Sequence, residues 1–262
     1  MAKVQTLHMP VVAPGPAIRR IDQNDLNWAL SEGWNDFLAK RGDLILIALI
    51  YPLVAFMAAA ISFNNRLLPM FFPLVAGLSI LGPAVASGFY ELARRRESGL
   101  DSSWMHFLDP LNGRSRMGLA VLTGGLAILF IGWLIAASLI YTSTIGADQP
   151  TPAEFMRRLF TTPQGWTMIM AGNLVGFLFA VATLTLGLVS FPMVVDKAAD
   201  PITAVSASIR AVTENPVTVA TWGLRVAALL ALGCLPAFIG LAVILPVLGY
   251  ASWHLYTRLV VR

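Results

Sequence analysis

Charge is what this sequence has least of. Asp, Glu, Lys and Arg make up 12% of its 262 residues, with a net charge of +4, where soluble domains carry about 25%. With 57% hydrophobic residues and a mean hydropathy of +0.72, a water-soluble surface is excluded. Cysteine is nearly absent: Cys234 stands alone in an apolar run, which excludes a disulfide framework, a thiolate metal site and a CxxC redox pair. Three histidines, His8, His106 and His254, are too few and too scattered for a haem–copper centre. Acidic residues are missing from the apolar runs, the nearest being Asp43, Glu91 and Asp196 at their ends. That disfavours ion-driven carriers and redox pumps, which need ionisable groups within the membrane. No phosphate-binding loop, zinc-binding helix or nucleophile elbow occurs in usable context. The residues therefore point to no enzyme, and no cofactor or metal is expected.

What the sequence does have is long apolar runs, several reaching the roughly 20 residues an α-helix needs to cross a bilayer. Six spans are expected. They are about Leu44–Phe63 and Leu67–Leu92, joined by Asn64-Asn65-Arg66, then about Met117–Tyr141 and Trp166–Val194, and two in the stretch Val217–Tyr256. That last stretch is about 60 Å long as one helix, two bilayer cores, so it folds back at Gly233-Cys234-Leu235-Pro236. The first apolar run starts too far into the chain for a signal peptide.

The basic residues flank these runs instead of forming a patch, which argues for membrane topology and against nucleic acid. With a cytoplasmic N-terminus, fourteen Lys and Arg fall inside and three (Arg66, Arg157 and Arg158) outside, with Arg225 within a span. Both termini are thus expected in the cytoplasm.

Residues 1–20 show no periodicity and read as a disordered cytoplasmic tail, leaving residues 21–262 as one six-helix domain. Each odd-numbered span follows an amphipathic segment. In the first, Leu26, Leu30, Trp34, Phe37 and Leu38 share a face opposite Glu32, Asn35 and Asp36. The second is Trp104–Leu111, with Trp104, Phe107, Leu108 and Leu111 together. The third is Ile202–Val212, with Ile202, Val205, Ile209 and Val212 together, between Asp200-Pro201 and Asn215-Pro216. The expected fold is all-α: six transmembrane helices as three hairpins, each preceded by a cytoplasmic amphipathic helix.

Arg225 is the costliest residue, since a central arginine costs roughly 2.5–3.5 kcal/mol on insertion scales. It either faces an anionic ligand or another subunit, or snorkels to the cytoplasmic interface and stacks on Trp222. Asn173 reads as an interhelical hydrogen-bond donor. Near the C-terminus, Trp253, Tyr256 and Arg258 read as an interfacial anchor. His254 is either part of that anchor or a ligand, with His106 available on the same side. Arg94, Arg95 and Arg96 either attract anionic lipid head groups or lock topology.

Three stretches resemble one family. Gly82-Pro83 with Gly88-Phe89-Tyr90-Glu91 and Arg94-Arg95-Arg96-Glu97 is similar to the end of a second span. Ser190-Phe191-Pro192 through Asp196, with Ala204-Val205 and Ser208 to Asn215-Pro216, is similar to a fourth-span exit and cytoplasmic helix. Pro246 to Arg258 is similar to a closing motif, although Tyr250 stands where histidine is expected. The family is the uncharacterised bacterial integral membrane family catalogued as domain of unknown function 2189. The resemblance implies six helices, and the provisional label of cytochrome c oxidase subunit carried by some members implies an accessory role beside a respiratory oxidase. The expectation is a non-enzymatic accessory or scaffold protein of the bacterial inner membrane, in contact with the lipid bilayer and a membrane-protein partner. A channel or facilitator for a small solute is the alternative, and a lipid-handling protein the third.

Overall fold

The computed structural model describes residues 15–40, 53, 70–146, 151–236 and 238–262. Among them there is no strand, and nearly all are helical. Apart from Leu53, the expected first span, Leu44–Phe63, and the turn after it lie outside the described residues.

Helix α1 covers residues 23–40. Helices α2 (Phe71–Leu78) and α3 (Gly82–Glu97) form one continuous path through a 3-10 turn at Ser79–Leu81, just before Pro83. A 3-10 turn, Trp104–Leu108, leads into the single turn α4 (Asp109–Asn112) and then α5 (Arg116–Thr144). Helix α6 (Pro152–Thr161) precedes α7 (Pro163–Gly187), which continues across a break into α8 (Ser190–Lys197). The chain ends with α9 (Pro201–Glu214), α10 (Pro216–Cys234) and α11 (Leu241–Leu259).

Four stretches are long and apolar enough to cross a membrane: Phe71–Glu97, Arg116–Thr144, Pro163–Lys197 and Pro216–Cys234. They correspond to the second through fifth expected spans. Helix α11 is also 19 residues long, but its C-terminal half, from Tyr250 through His254 to Arg258, is too polar to be read as a span by composition. Its N-terminal half follows the predicted fold-back, for α10 stops at Cys234 and Gly240 lies against the backbone of Gly233.

Cap chemistry sets the helix starts. Asp200 accepts from the amides of Ile202 and Thr203 at 3.0 and 3.2 Å, with Pro201 at the first helical position of α9. Thr151 accepts from Glu154 N at 3.3 Å to start α6. Thr162 accepts from Gly165 N at 3.1 Å to start α7. The corner between α6 and α7 admits only glycine at 165, since a Cβ there would sit 2.4 Å from the Arg158 carbonyl oxygen. Helix α6 has no counterpart among the expected elements.

The bundle has two unlike ends. At one, here the polar end, α3, α8 and α11 finish, α5 and α10 begin, and α1, α4 and α9 lie between them. There Phe89, Phe191, Trp222, Tyr250, Trp253 and Tyr256 are buried in a single apolar core. At the other end a small cluster holds Ile80, Trp133 and Ala137. Between the ends the helices turn large apolar side chains outward, including Ile128, Ile135, Met170, Leu174 and Phe177. In the most apolar stretch of α5 only 22% of the residues are buried inside the protein, a surface suited to lipid.

Two amphipathic faces differ from expectation. Helix α9 buries Ala204, Ala207, Ser208 and Ala211, whereas Ile202 and Ile209 point outward at 80% and 42% exposure. Helix α1 buries Leu26, Ala29, Gly33, Asp36 and Phe37 and leaves Trp34 and Leu38 exposed. Asp36 therefore sits inside, not on the solvated side. The reason is close approach: a Cβ on Gly33 would lie 2.7 Å from the Val247 carbonyl oxygen, so α1 meets α11 backbone to backbone there. The segment 104–111 is a 3-10 turn plus one α turn instead of a helix. Of the four residues expected on its apolar face, Phe107 alone tucks in, under Gly88 and against Phe89 with ring centroids 4.9 Å apart, while Trp104, Leu108 and Leu111 stay exposed.

Residues 1–14 lie outside the described residues, but the rest of the expected tail is pinned. Ile18 bridges Val260, with Arg19 N donating to Leu259 O at 2.7 Å and Val261 N to Ala17 O at 3.1 Å. Buried Asn215 clamps the same segment, accepting from Ile21 N at 2.8 Å and donating to Arg19 O at 3.1 Å.

Candidate functional site

Charge is scarce, and most of it converges on the polar end. Glu91, with 7% of its side chain exposed, receives two hydrogen bonds from Arg94, at 2.9 and 2.6 Å, and one from Arg95 at 3.5 Å. Arg95 also reaches Asp109 at 3.2 Å and the Asp101 carbonyl at 2.7 Å. Arg96 pairs with Asp36 at 3.3 Å. All three arginines of the run are thus held by carboxylates of the chain itself.

Asp36 also lies 2.9 Å from His254 Nε2. The edge of His254 meets the Trp28 ring at 5.5 Å, and the Arg258 guanidinium covers Trp28 at 4.0 Å while facing Asp25 at 3.8 Å. With the Arg258 side chain exposed, such a cation–π contact contributes about 0.5–1 kcal/mol. His106 is held elsewhere, with Nδ1 2.7 Å from Asp109 and Nε2 3.2 Å from Asp101. His254 and His106 therefore face different carboxylates. The Ser103 hydroxyl and amide hold the Asp101 carboxyl below the usual carboxylate range. Among the described residues no group of three His, Cys, Asp or Glu side chains is arranged to hold a metal ion.

The closing motif is core, not an aromatic belt. Trp253 and Tyr256 are fully buried. Trp253 Nε1 donates to Glu97 at 3.3 Å, and the Tyr256 hydroxyl to Asp196 at 2.8 Å. Glu97 also takes both terminal nitrogens of Arg262, one at 2.9 Å, and that carboxylate raises the Arg262 guanidinium above its ordinary value. The polar tips of these aromatics thus find partners inside the protein, which removes the need to face the head-group layer.

Arg225 is held by α1. Its guanidinium donates to Asn27 Oδ1 at 2.7 Å and Gln23 Oε1 at 3.2 Å, both on α1, while Trp222 is buried in the core below. It does snorkel, but onto α1 instead of onto Trp222. Asn173 donates to the Ile169 carbonyl of its own helix at 2.8 Å, not to a neighbouring helix.

One buried polar device was not foreseen. Pro192 lacks an N–H and breaks the α7–α8 helix at Leu188–Val189, which costs the bond from Val189 N to Thr185 O. Ser208 of α9 stands in the gap: its hydroxyl accepts from Val189 N at 3.1 Å and donates to Thr185 O at 2.7 Å. A side chain inserted into the ladder is a recognised cause of helix kinks. Asp36, Glu97, Asp196, Trp28 and Ser208 are the site residues that sequence reasoning missed. For Asp36 a signal existed, because it falls on the stripe Leu26, Ala29, Gly33, Asp36 at helical spacing.

Residues 71–196 match the model of a family described as predicted integral membrane protein (DUF2189). That stretch holds the motifs ending α3 and α8, and the resemblance read from those residues stands there. No curated protein and no solved structure matches the chain. The chain is an integral membrane protein with several apolar helices.

Proposed function

We propose that this is a non-enzymatic accessory or scaffold protein of the bacterial inner membrane, with six spans in three hairpins and both termini cytoplasmic. It acts by assembling with another membrane protein. A respiratory oxidase is the partner suggested by the label that some members of the resembled family carry. The observation that carries this reading is how the polar groups are used. Arg94, Arg95, Arg96, His106, His254 and Arg225 are each engaged by a carboxylate or amide of the same chain. Such groups build a rigid frame, whereas catalysis or solute passage needs them turned to a ligand. Exposed Trp34, Trp104 and Leu108 around the polar end provide apolar contact area beside that frame.

The test is extraction of the tagged protein from its native membrane in a polymer disc, with partners identified by mass spectrometry and the visible spectrum recorded on the same sample. Stoichiometric oxidase subunits with haem bands are expected. A colourless, partner-free protein would overturn the reading and promote the channel or lipid-handling alternatives, with solute flux through Arg225→Ala as the next measurement.

A further inference from the structure

The outward side of α7 carries a regular pattern. Trp166, Met170, Asn173, Phe177, Ala180 and Leu184 follow one another at intervals of four, three, four, three and four residues, which is the spacing of a coiled-coil seam. The first five are exposed. Leu184 lies against Gly223 of α10, and the open seam ends there. From Trp166 to Ala180 it runs about 21 Å at 1.5 Å per residue, most of the thickness of a hydrocarbon core.

Asn173 is the polar member of this seam. It lies about 10 Å along α7 from Trp166, and no charged residue occurs from Thr167 to Val195. Its Nδ2 donates to the Ile169 carbonyl at 2.8 Å, which leaves one N–H unused, and its Oδ1 accepts from nothing among the described residues. An amide oxygen open to hydrocarbon is costly, because no water reaches it there. A partner with one donor and one acceptor at the same depth removes that cost. A second copy inserted in the same direction supplies both: a two-fold axis along the membrane normal sets the two α7 helices parallel and in register, so that asparagine meets asparagine. A single asparagine in an otherwise apolar seam specifies register and the number of strands.

We propose that the protein forms a symmetric dimer in the membrane, joined along α7 by Trp166, Met170, Phe177 and Ala180, with the two Asn173 amides bonded to each other across the axis. Each Oδ1 accepts the N–H that the opposite Nδ2 leaves unused. Apolar packing alone gives no hydrophobic drive in a bilayer, so the amide pair fixes which faces meet. The contact is independent of the accessory reading, since it needs no other protein.

Single-molecule photobleaching of the purified, fluorescently tagged full chain in liposomes, over a range of protein-to-lipid ratios, reads the association. Two-step traces that grow with protein density are expected. Asn173→Leu should move that curve to about tenfold higher density. Asn173→Gln, which keeps the amide, should move it less, and Leu174→Ala, exposed beside the seam, should leave it in place. Disulfide cross-linking in native membranes tests the same face with Asn173 intact. With Cys234→Ala as background, Met170→Cys and Phe177→Cys should give covalent dimers on oxidation, and Leu174→Cys and Leu178→Cys should give few. Single steps at every density would overturn the proposal and leave the seam to a different protein. A curve that Asn173→Leu leaves unmoved, or cross-links as strong at 174 and 178 as at 170 and 177, would also overturn it.

Discussion

The pattern Glu-x-x-Arg-Arg occurs at both ends of the bundle, as Glu91 to Arg95 and as Glu154 to Arg158. Both copies are helical, and in both the glutamate pairs with the two arginines three and four residues on, at 2.6 and 3.5 Å in the first and 2.7 and 2.8 Å in the second. Their settings differ. Glu91 has 7% of its side chain exposed and belongs to a network reaching Asp109 on α4, whereas the Glu154 carboxylate is 32% exposed and pairs with Arg157 and Arg158 of its own helix. The same local grammar is a tertiary tie at the polar end and a surface decoration at the other. The difference follows from the surroundings: within hydrocarbon, helices associate without a hydrophobic drive. Aromatic burial and paired charge become available where the chain emerges from it.

The strongest way to break this comparison is to truncate both glutamates. Glu91→Ala leaves Arg94 and Arg95 without their shared buried carboxylate. It should cost about 2–3 kcal/mol, somewhat less than for a fully buried pair, because both guanidiniums retain some access to water. Glu154→Ala should leave the thermal midpoint in the same detergent unchanged, as exposed pairs in general do. Equal shifts would show that the two ends are held alike.

A second test sharpens the comparison inside the polar end. Ser208→Ala strands Val189 N–H and Thr185 C=O at a buried kink, at a cost of about 1–3 kcal/mol. Ser208→Thr, which keeps the hydroxyl, should recover part of it. Thermal unfolding of both variants checks this, and an alanine variant as stable as the parent would mean that the kink needs no inserted hydroxyl.

The features legible in the sequence were those set by run length and local caps. Four of the expected spans correspond to stretches the structure makes long and apolar, and Asp200-Pro201, Asn215-Pro216 and the Gly233–Pro236 turn fall where expected. Which face turns inward was not legible. In water the large apolar residues of an amphipathic helix seek the core, but in α9 Ile202 and Ile209 face outward and Ala204, Ala207 and Ala211 face inward, because small residues permit close helix contact in a membrane. Helix α6 escaped for another reason: at ten residues it has no long apolar run, and its signals were local, the Thr151-Pro152-x-Glu154 start and a short apolar face. The partners of His254, Trp253 and Tyr256 lie on α1, α3 and α8, and no spacing within α11 encodes them.

The smallest expected effect concerns pH at the far end. The Arg157 and Arg158 guanidiniums lower the Glu154 carboxyl from 4.5 to about 2. Because the folded value is depressed, the unfolded chain takes up the proton first as pH falls. The contribution of the pair is fully present above about 4.5 and is lost as pH drops toward about 2. Hydrogen exchange corrected for intrinsic rate should show protection of residues 152–161 falling through that window. In Glu154→Gln it should start lower and stay flat. The last turns of α3 carry Glu91 and Glu97 in carboxylate–arginine pairs but are also packed on α11 through Phe89 against Gly249 and Tyr250, and should lose less protection over the same range, since aromatic burial that no proton removes carries part of their stability. Parallel loss at both ends would mean that paired charge, not the packed aromatic core, holds the polar end together.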